Sequence, residues 1–311
     1  MKFRIFAMII TSILLFAACE NELEKSIDFD VAIVPTDSIT FGDTAVFAQA
    51  GTSMTFRFDG NADFISFQCI RFTPTTSTLS FTAKPSWGTH IENTLKVFLS
   101  KSFTGLTLNN FNIDSTAIAT HVWTDITNLC SLPIVANESK RSNISLKDFN
   151  GQQVTLAFQY QTTYAADWQP TWLLSDIQMN DTVVGSTEKT MTNLAATMGF
   201  SPFDMNNKNN PYLSESSAGT WNITTPAAIE IKRTASNNPL NNDWLITKPV
   251  PIASGVYDTS AVISVKNISS IVNEYAYKFT KKGTYKVRFF ASRWNYQYKS
   301  SMERDLYIVI E

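Results

Sequence analysis

Two groups of aromatic side chains stand out against polar neighbours. Tyr164, Trp168 and Trp172 fall in the loop-like segment QTTYAADWQPTW, and Trp294, Tyr296 and Tyr298 alternate in RWNYQYK, at what reads as a hairpin tip. Such rings stack on the apolar C–H faces of pyranoses, while Asn, Asp and Arg fix the hydroxyls. Tyr164, Trp168, Trp294, Tyr296 and Tyr298 are therefore the candidate sugar-binding residues, whereas Trp172 and Trp244 read as core. A glycosidase would need only two carboxylates at a set separation, and Asp125, Asp148, Asp167 and Asp176 are the acids such a pair would draw on. Acids at strand ends more often cap turns. The chain has no Gly-x-Ser-x-Gly, no His-Glu-x-x-His, no phosphate-cradling glycine loop and no dinucleotide fingerprint. These residues describe a binding protein rather than an enzyme.

Metal chemistry has little to draw on. His90, His121, Cys69 and Cys130 do not fall at zinc-ligand spacings. Each histidine reads as a surface or half-buried strand residue, without a serine or cysteine partner in its sequence context. Residues 204–215 open like a calcium loop and end on Glu215, but Lys208 takes a ligand place and Asn209 replaces the turn glycine, which excludes an EF-hand. Cys69 and Cys130 form either one disulfide or two separate buried thiols.

Composition narrows the class. With 44% hydrophobic residues, including 22 Phe, 10 Tyr and 7 Trp, the 311-residue chain buries ample apolar surface and is not disordered. Eleven Gly and eleven Pro exclude a collagen-like or low-complexity chain. A net charge of −2 lacks the basic footprint of a nucleic-acid binder.

The first nineteen residues, MKFRIFAMIITSILLFAAC, place Lys2 and Arg4 before an apolar run from Ile5 to Phe16 that is too short to span a bilayer. The run closes on Phe16-Ala17-Ala18 before Cys19. This resembles a bacterial lipoprotein signal with its lipobox, departing from it at Phe16, where an aliphatic residue is usual. The resemblance implies a signal peptide over residues 1–18, lipid on Cys19, membrane attachment through that lipid, and a tether over 19–27. The acids Glu20, Glu22 and Glu24 resemble the signal that sends such lipoproteins to the outer-membrane surface.

Period-two alternation dominates and helical periodicity is nearly absent. Phe29/Val31/Ile33, Met54/Phe56/Phe58, Leu95/Val97/Leu99, Val154/Leu156/Phe158/Tyr160, Tyr285/Val287/Phe289 and Leu306/Ile308/Ile310 mark strands with one apolar face. They predict an all-β chain of antiparallel sandwiches. FTKKGTYKV over 279–287, with the Phe58-Asp59-Gly60 turn, resembles a polycystic-kidney-disease-type immunoglobulin-like domain. This implies one immunoglobulin-like sandwich built from residues 28–75 and 250–311. Between them, VTLAFQY over 154–160 and Trp172-Leu-Leu-Ser-Asp176-Ile177 resemble galactose-binding-like jelly rolls of the choice-of-anchor type, with one residue more than expected before the acid. The inserted sandwich is therefore placed at 76–249. A structural calcium held by Asp125 or Asp176 is an implication of that resemblance.

The succession GNADFISF, WTDIT, NDWLITKP and YKFTKKGTYKVRF resembles, over residues 25–311, the domain of unknown function 5017 family of surface lipoproteins. The chain departs from that family's pattern at Phe67-Gln68-Cys69-Ile70-Arg71. The resemblance implies a role in starch-utilisation-type systems, binding polysaccharide or oligosaccharide beside outer-membrane transporter components. An adhesin or structural surface component is the alternative, since the same two sandwiches would serve it. Few charges line the aromatic loops, so glycan binding is expected to need an oligosaccharide and to depend little on salt.

Overall fold

The structure is a computed structural model that describes residues 26–162, 168–187, 189–234, 240–294 and 298–311. It is an all-β, multi-sheet, sandwich-like architecture with one α-helix among the described residues. The chain divides into two compact units, one formed by residues 26–73 with 256–311, the other by 74–255.

In the discontinuous unit, Phe29–Ile33, Ser53–Gly60 and Glu274–Lys278 form a three-stranded antiparallel sheet. Side chains alternate strictly along Phe29–Ile33, with Phe29, Val31 and Ile33 buried and Asp30 and Ala32 exposed. The second sheet joins Gly283–Trp294 to Phe64–Phe72 on one edge and to Lys299–Ile310 on the other. Ile308–Ile310 then pairs in parallel with Val46–Ala48. The two sheets share one aromatic core, in which Phe56 lies 5.1 Å from Phe289 and Phe67 lies 4.8 Å from Tyr277 between ring centroids. Burying each such side chain contributes about 1.5–3 kcal/mol. Gly60 turns the chain with φ +112, and a Cβ there would lie 2.1 Å from the Asp28 carbonyl oxygen, so only glycine closes this turn.

In the continuous unit, Thr171–Val183 is central to one sheet. It pairs with Thr75–Ser86 on one side, and with Ala228–Ile231 and Lys189–Leu194 on the other. Lys140–Ser145 adds to the far edge of Thr78–Ala83. The other sheet runs Ser201–Asp204, Asn242–Ile246, Gln153–Gln161, Leu95–Ser100, Thr124–Asp125. The faces meet in a core where Phe81 packs edge-on against Phe158 at 5.2 Å.

Three features depart from the sequence pattern. Gln153–Gln161 is buried along nearly its whole length rather than on alternate residues. Its outer side is covered by a second cluster that includes Phe103, Ile118, Phe203 and Trp244. Ile118 belongs to the helix Phe111–Thr120, an element that hydropathy periodicity missed because FNIDSTAIAT has no apolar stripe. Finally, Phe64–Ser86 is a single 23-residue strand that continues through the polar run TPTTST, so the division between the two units falls within one strand.

Candidate functional site

The continuous unit gathers its exposed aromatic residues around one arginine. The strand Phe64–Ser86 ends in a reversal in which Trp87 (φ 64) and Gly88 (φ 77) both take left-handed conformations. A Cβ on Gly88 would lie 2.8 Å from the Pro170 nitrogen, so this glycine allows the turn to lie against residues 169–170. Thr89 N donates to the Trp168 carbonyl at 3.3 Å, tying the same turn to Trp168. Both indoles remain in solvent, Trp87 61% and Trp168 53% exposed. The Arg233 Cζ lies over both rings, 3.9 Å from the Trp168 ring centroid and 5.4 Å from that of Trp87.

Buried polar groups fix this stack from below. Arg233 N donates to Thr171 Oγ1 at 3.0 Å. The neighbouring Thr234 hydroxyl and the Asn241 amide both donate to Gln169 Oε1, and all three of these side chains are buried. Arg233 and Trp168 are thus each one residue from the same network, which orders both before any ligand arrives.

Residues 91–93, 95 and 96, on the chain that follows this turn, wall a cleft of about 570 Å3, with Trp172, Leu95 and Leu132 as apolar lining and Asn93, Lys96 and Asp125 as polar lining. A second hollow of about 440 Å3 adjoins it through Glu92, Asn93 and Lys96. Trp172 is 1% exposed, and its Nε1 donates to Thr94 Oγ1 at 3.0 Å, so it is a core residue that also backs the cleft.

The other sequence candidates are dispersed. Trp294, 52% exposed, packs on Phe64 at 5.4 Å in the discontinuous unit, and Tyr298 is 37% exposed just before the strand Lys299–Ile310. Tyr164, Asp167, Tyr296 and Cys19 lie outside the described residues. Asp125 lines the cleft and accepts from Thr127 N at 2.9 Å, a turn-capping bond. Asp148 lies in a 3-10 turn away from the cleft lining. Asp176 sits with φ 52 at a β-bulge between Ser175 and Gln178, where Arg141 Nη1 is 3.9 Å away. That bulge accounts for the extra residue before the acid in the WLLSDI pattern. Among the described residues, Asp125 and Asp176 included, no group of three or more His, Cys, Asp or Glu side chains could hold a metal ion.

One contact was invisible in the sequence. His121 Nε2 lies 2.6 Å from Ser100 Oγ, giving this histidine the serine neighbour that its local context lacked. The serine hydroxyl also accepts from Ser102 N and Phe103 N, and the imidazole is wedged edge-on against Phe103 and Trp123. Ser100 is 4% exposed, so the pair closes a turn and offers no accessible nucleophile. Cys69 and Cys130 are both free thiols. Burial pushes Cys69 up to about 11, and burial with the nearby Asp125 charge pushes Cys130 up to about 12, so both stay protonated at neutral pH.

A family model described as Domain of unknown function (DUF5017) matches residues 18–200 of the chain. No curated protein and no solved structure matches it.

Proposed function

The chain belongs to the DUF5017 family, and on that premise we propose that it is a non-catalytic lipoprotein of the outer-membrane surface that binds polysaccharide for an uptake system. In this reading Cys19 carries the lipid. The discontinuous unit is an immunoglobulin-like sandwich, and the continuous unit is a jelly roll that presents the glycan site. No helix among the described residues is long and apolar enough to cross a membrane, and attachment through acyl chains on Cys19 requires none.

The observation that carries the binding reading is the pair of exposed indoles, Trp87 and Trp168, both packed on one arginine. Single exposed rings are common on protein surfaces, but neighbouring rings rimmed by polar groups mark an interaction site. None of the three side chains is a nucleophile or a proton donor near neutral pH, which suits retention of a polymer rather than its cleavage. Each stacked sugar contributes little alone, so useful affinity comes from several contacts along one chain.

Affinity electrophoresis against a broad glycan panel tests this. Losing one stacking ring, worth about 1 kcal/mol, should lower the affinity of Trp168→Ala about fivefold while its melting temperature stays close to wild type. If Trp294→Ala weakens binding and Trp168→Ala does not, the site lies in the other unit. If the wild type binds no glycan on the panel, the protein is an adhesin or structural component instead.

A further inference from the structure

Resting on the glycan-binding reading above, we propose that the Trp87–Arg233–Trp168 stack recognises an acidic sugar, the carboxylate of a uronic acid unit, through the edge of the Arg233 guanidinium. Arg57, Arg71, Arg141, Arg288 and Arg304 each lie within 4 Å of a carboxylate oxygen. Among the described residues Arg233 and Arg293 make no ion pair, and of these two only Arg233 lies over indole rings.

A guanidinium is planar and permanently charged, and all five of its N–H donors lie in its plane. A guanidinium that packs on ring faces keeps its in-plane donors for a partner at its edge, in the fork that matches a carboxylate. The Arg233 N bond to Thr171 and the Thr234–Gln169–Asn241 network fix the backbone at this position, and the two ring contacts restrict the side chain. Binding an anion therefore costs little further rotamer entropy. The indoles keep more than half of their surface in solvent, which leaves apolar area for the C–H face of a pyranose next to its carboxylate. A neutral sugar would use the rings and leave the charge to water. A uronate uses both. The arrangement also reverses the expectation of weak salt dependence, because the charge comes from residue 233, outside the aromatic segments in which the sequence showed few charges.

The test compares polymers that differ only in charge. Full-length protein is measured by calorimetry and affinity electrophoresis against polygalacturonate and polyglucuronate, their methyl esters, neutral dextran and dextran sulfate, at low and high NaCl. At least one polyuronate should bind about tenfold more tightly than its ester, as a charge-assisted hydrogen-bonded pair implies, and added salt should erase much of that difference. Arg233→Gln should bind acid and ester alike. Arg233→Lys, which keeps the charge but not the fork, should fall between wild type and Arg233→Gln, and thermal melts establish that both variants fold. Equal binding of acid and ester by the wild type, undiminished polyuronate binding by a folded Arg233→Gln, or dextran sulfate bound as tightly as the best polyuronate would each overturn the carboxylate assignment and leave the glycan reading standing. No binding to any of these or to the wider panel would overturn both.

Discussion

Asp243 has its carboxyl oxygen Oδ2 buried and without a hydrogen-bond partner among the described residues. Burial is the main reason its carboxyl is pushed from 3.8 up to about 9, and the charge of Asp204, its register partner on the neighbouring strand, adds to the shift. The folded protein therefore holds a proton at neutral pH that the unfolded chain releases. This contribution to stability is fully present below about pH 4 and is lost as the pH rises through about 9. Asp243→Asn keeps the shape and removes the ionisation. In urea melts it should match wild type near pH 4 and be more stable near pH 8, by on the order of a few kcal/mol. An unchanged stability difference between the two pH values would count against a protonated Asp243. The Trp221 Nε1 bond to the Asp243 carbonyl, 3.2 Å long, is unaffected by the substitution. Nothing local in NDWLITKP marks that aspartate as buried beside another acid. Trp87 was more accessible to reading, since a tryptophan in the turn-like run Pro85-Ser86-Trp87-Gly88 is out of place for a core residue.

The helix Phe111–Thr120 and the strand Phe64–Ser86 show how packing overrides local preference. The Asn110 side chain caps the helix, accepting from Ile113 N at 3.2 Å. Its side chains Phe111, Ala117 and Ile118 join the cluster on the outer face of Gln153–Gln161, where Phe111 stacks on Phe203 at 5.6 Å. Ten residues form too short a helix to persist alone, so most of its stability must come from that contact. Ile118→Ala should cost about 3 kcal/mol and Asn110→Ala about 1 kcal/mol. Chemical denaturation of both variants checks the ranking, and a larger loss from the cap would contradict it. In the strand, the stretch TPTTSTLS over 73–80 has the composition of a linker. It is held extended because Thr75–Ser80 pairs with Gln178–Val183, and Thr78–Ala83 also pairs with Lys140–Ser145. Neither partner is near in sequence, so the pairing of this segment cannot be read from its own composition.

At the scale of the whole molecule, the strand Gly283–Trp294 pairs residue by residue with Phe64–Phe72, more than two hundred positions earlier in the chain. A fragment of residues 250–311 alone keeps the Gly283–Ile310 hairpin but loses that edge and much of the shared core, including Phe56 and Phe67. It should show no cooperative thermal transition; a sharp melt from it would refute this dependence. At the other end, Cys19→Ala should release the protein from membranes or leave it unprocessed. Unchanged membrane retention, with no lipid detected by mass spectrometry, would contradict the anchor. The all-β class was determined by the sequence itself, because which face of a strand is apolar is written in neighbouring residues with a period of two. So was the core character of Trp172 and Trp244, set among apolar neighbours. Strand partners, the covering helix, the charge state of Asp243 and the meeting of Trp87, Trp168 and Arg233 depend on which distant segments come into contact. Burial and electric field act through space rather than along the chain, so these features were decided only by the tertiary structure.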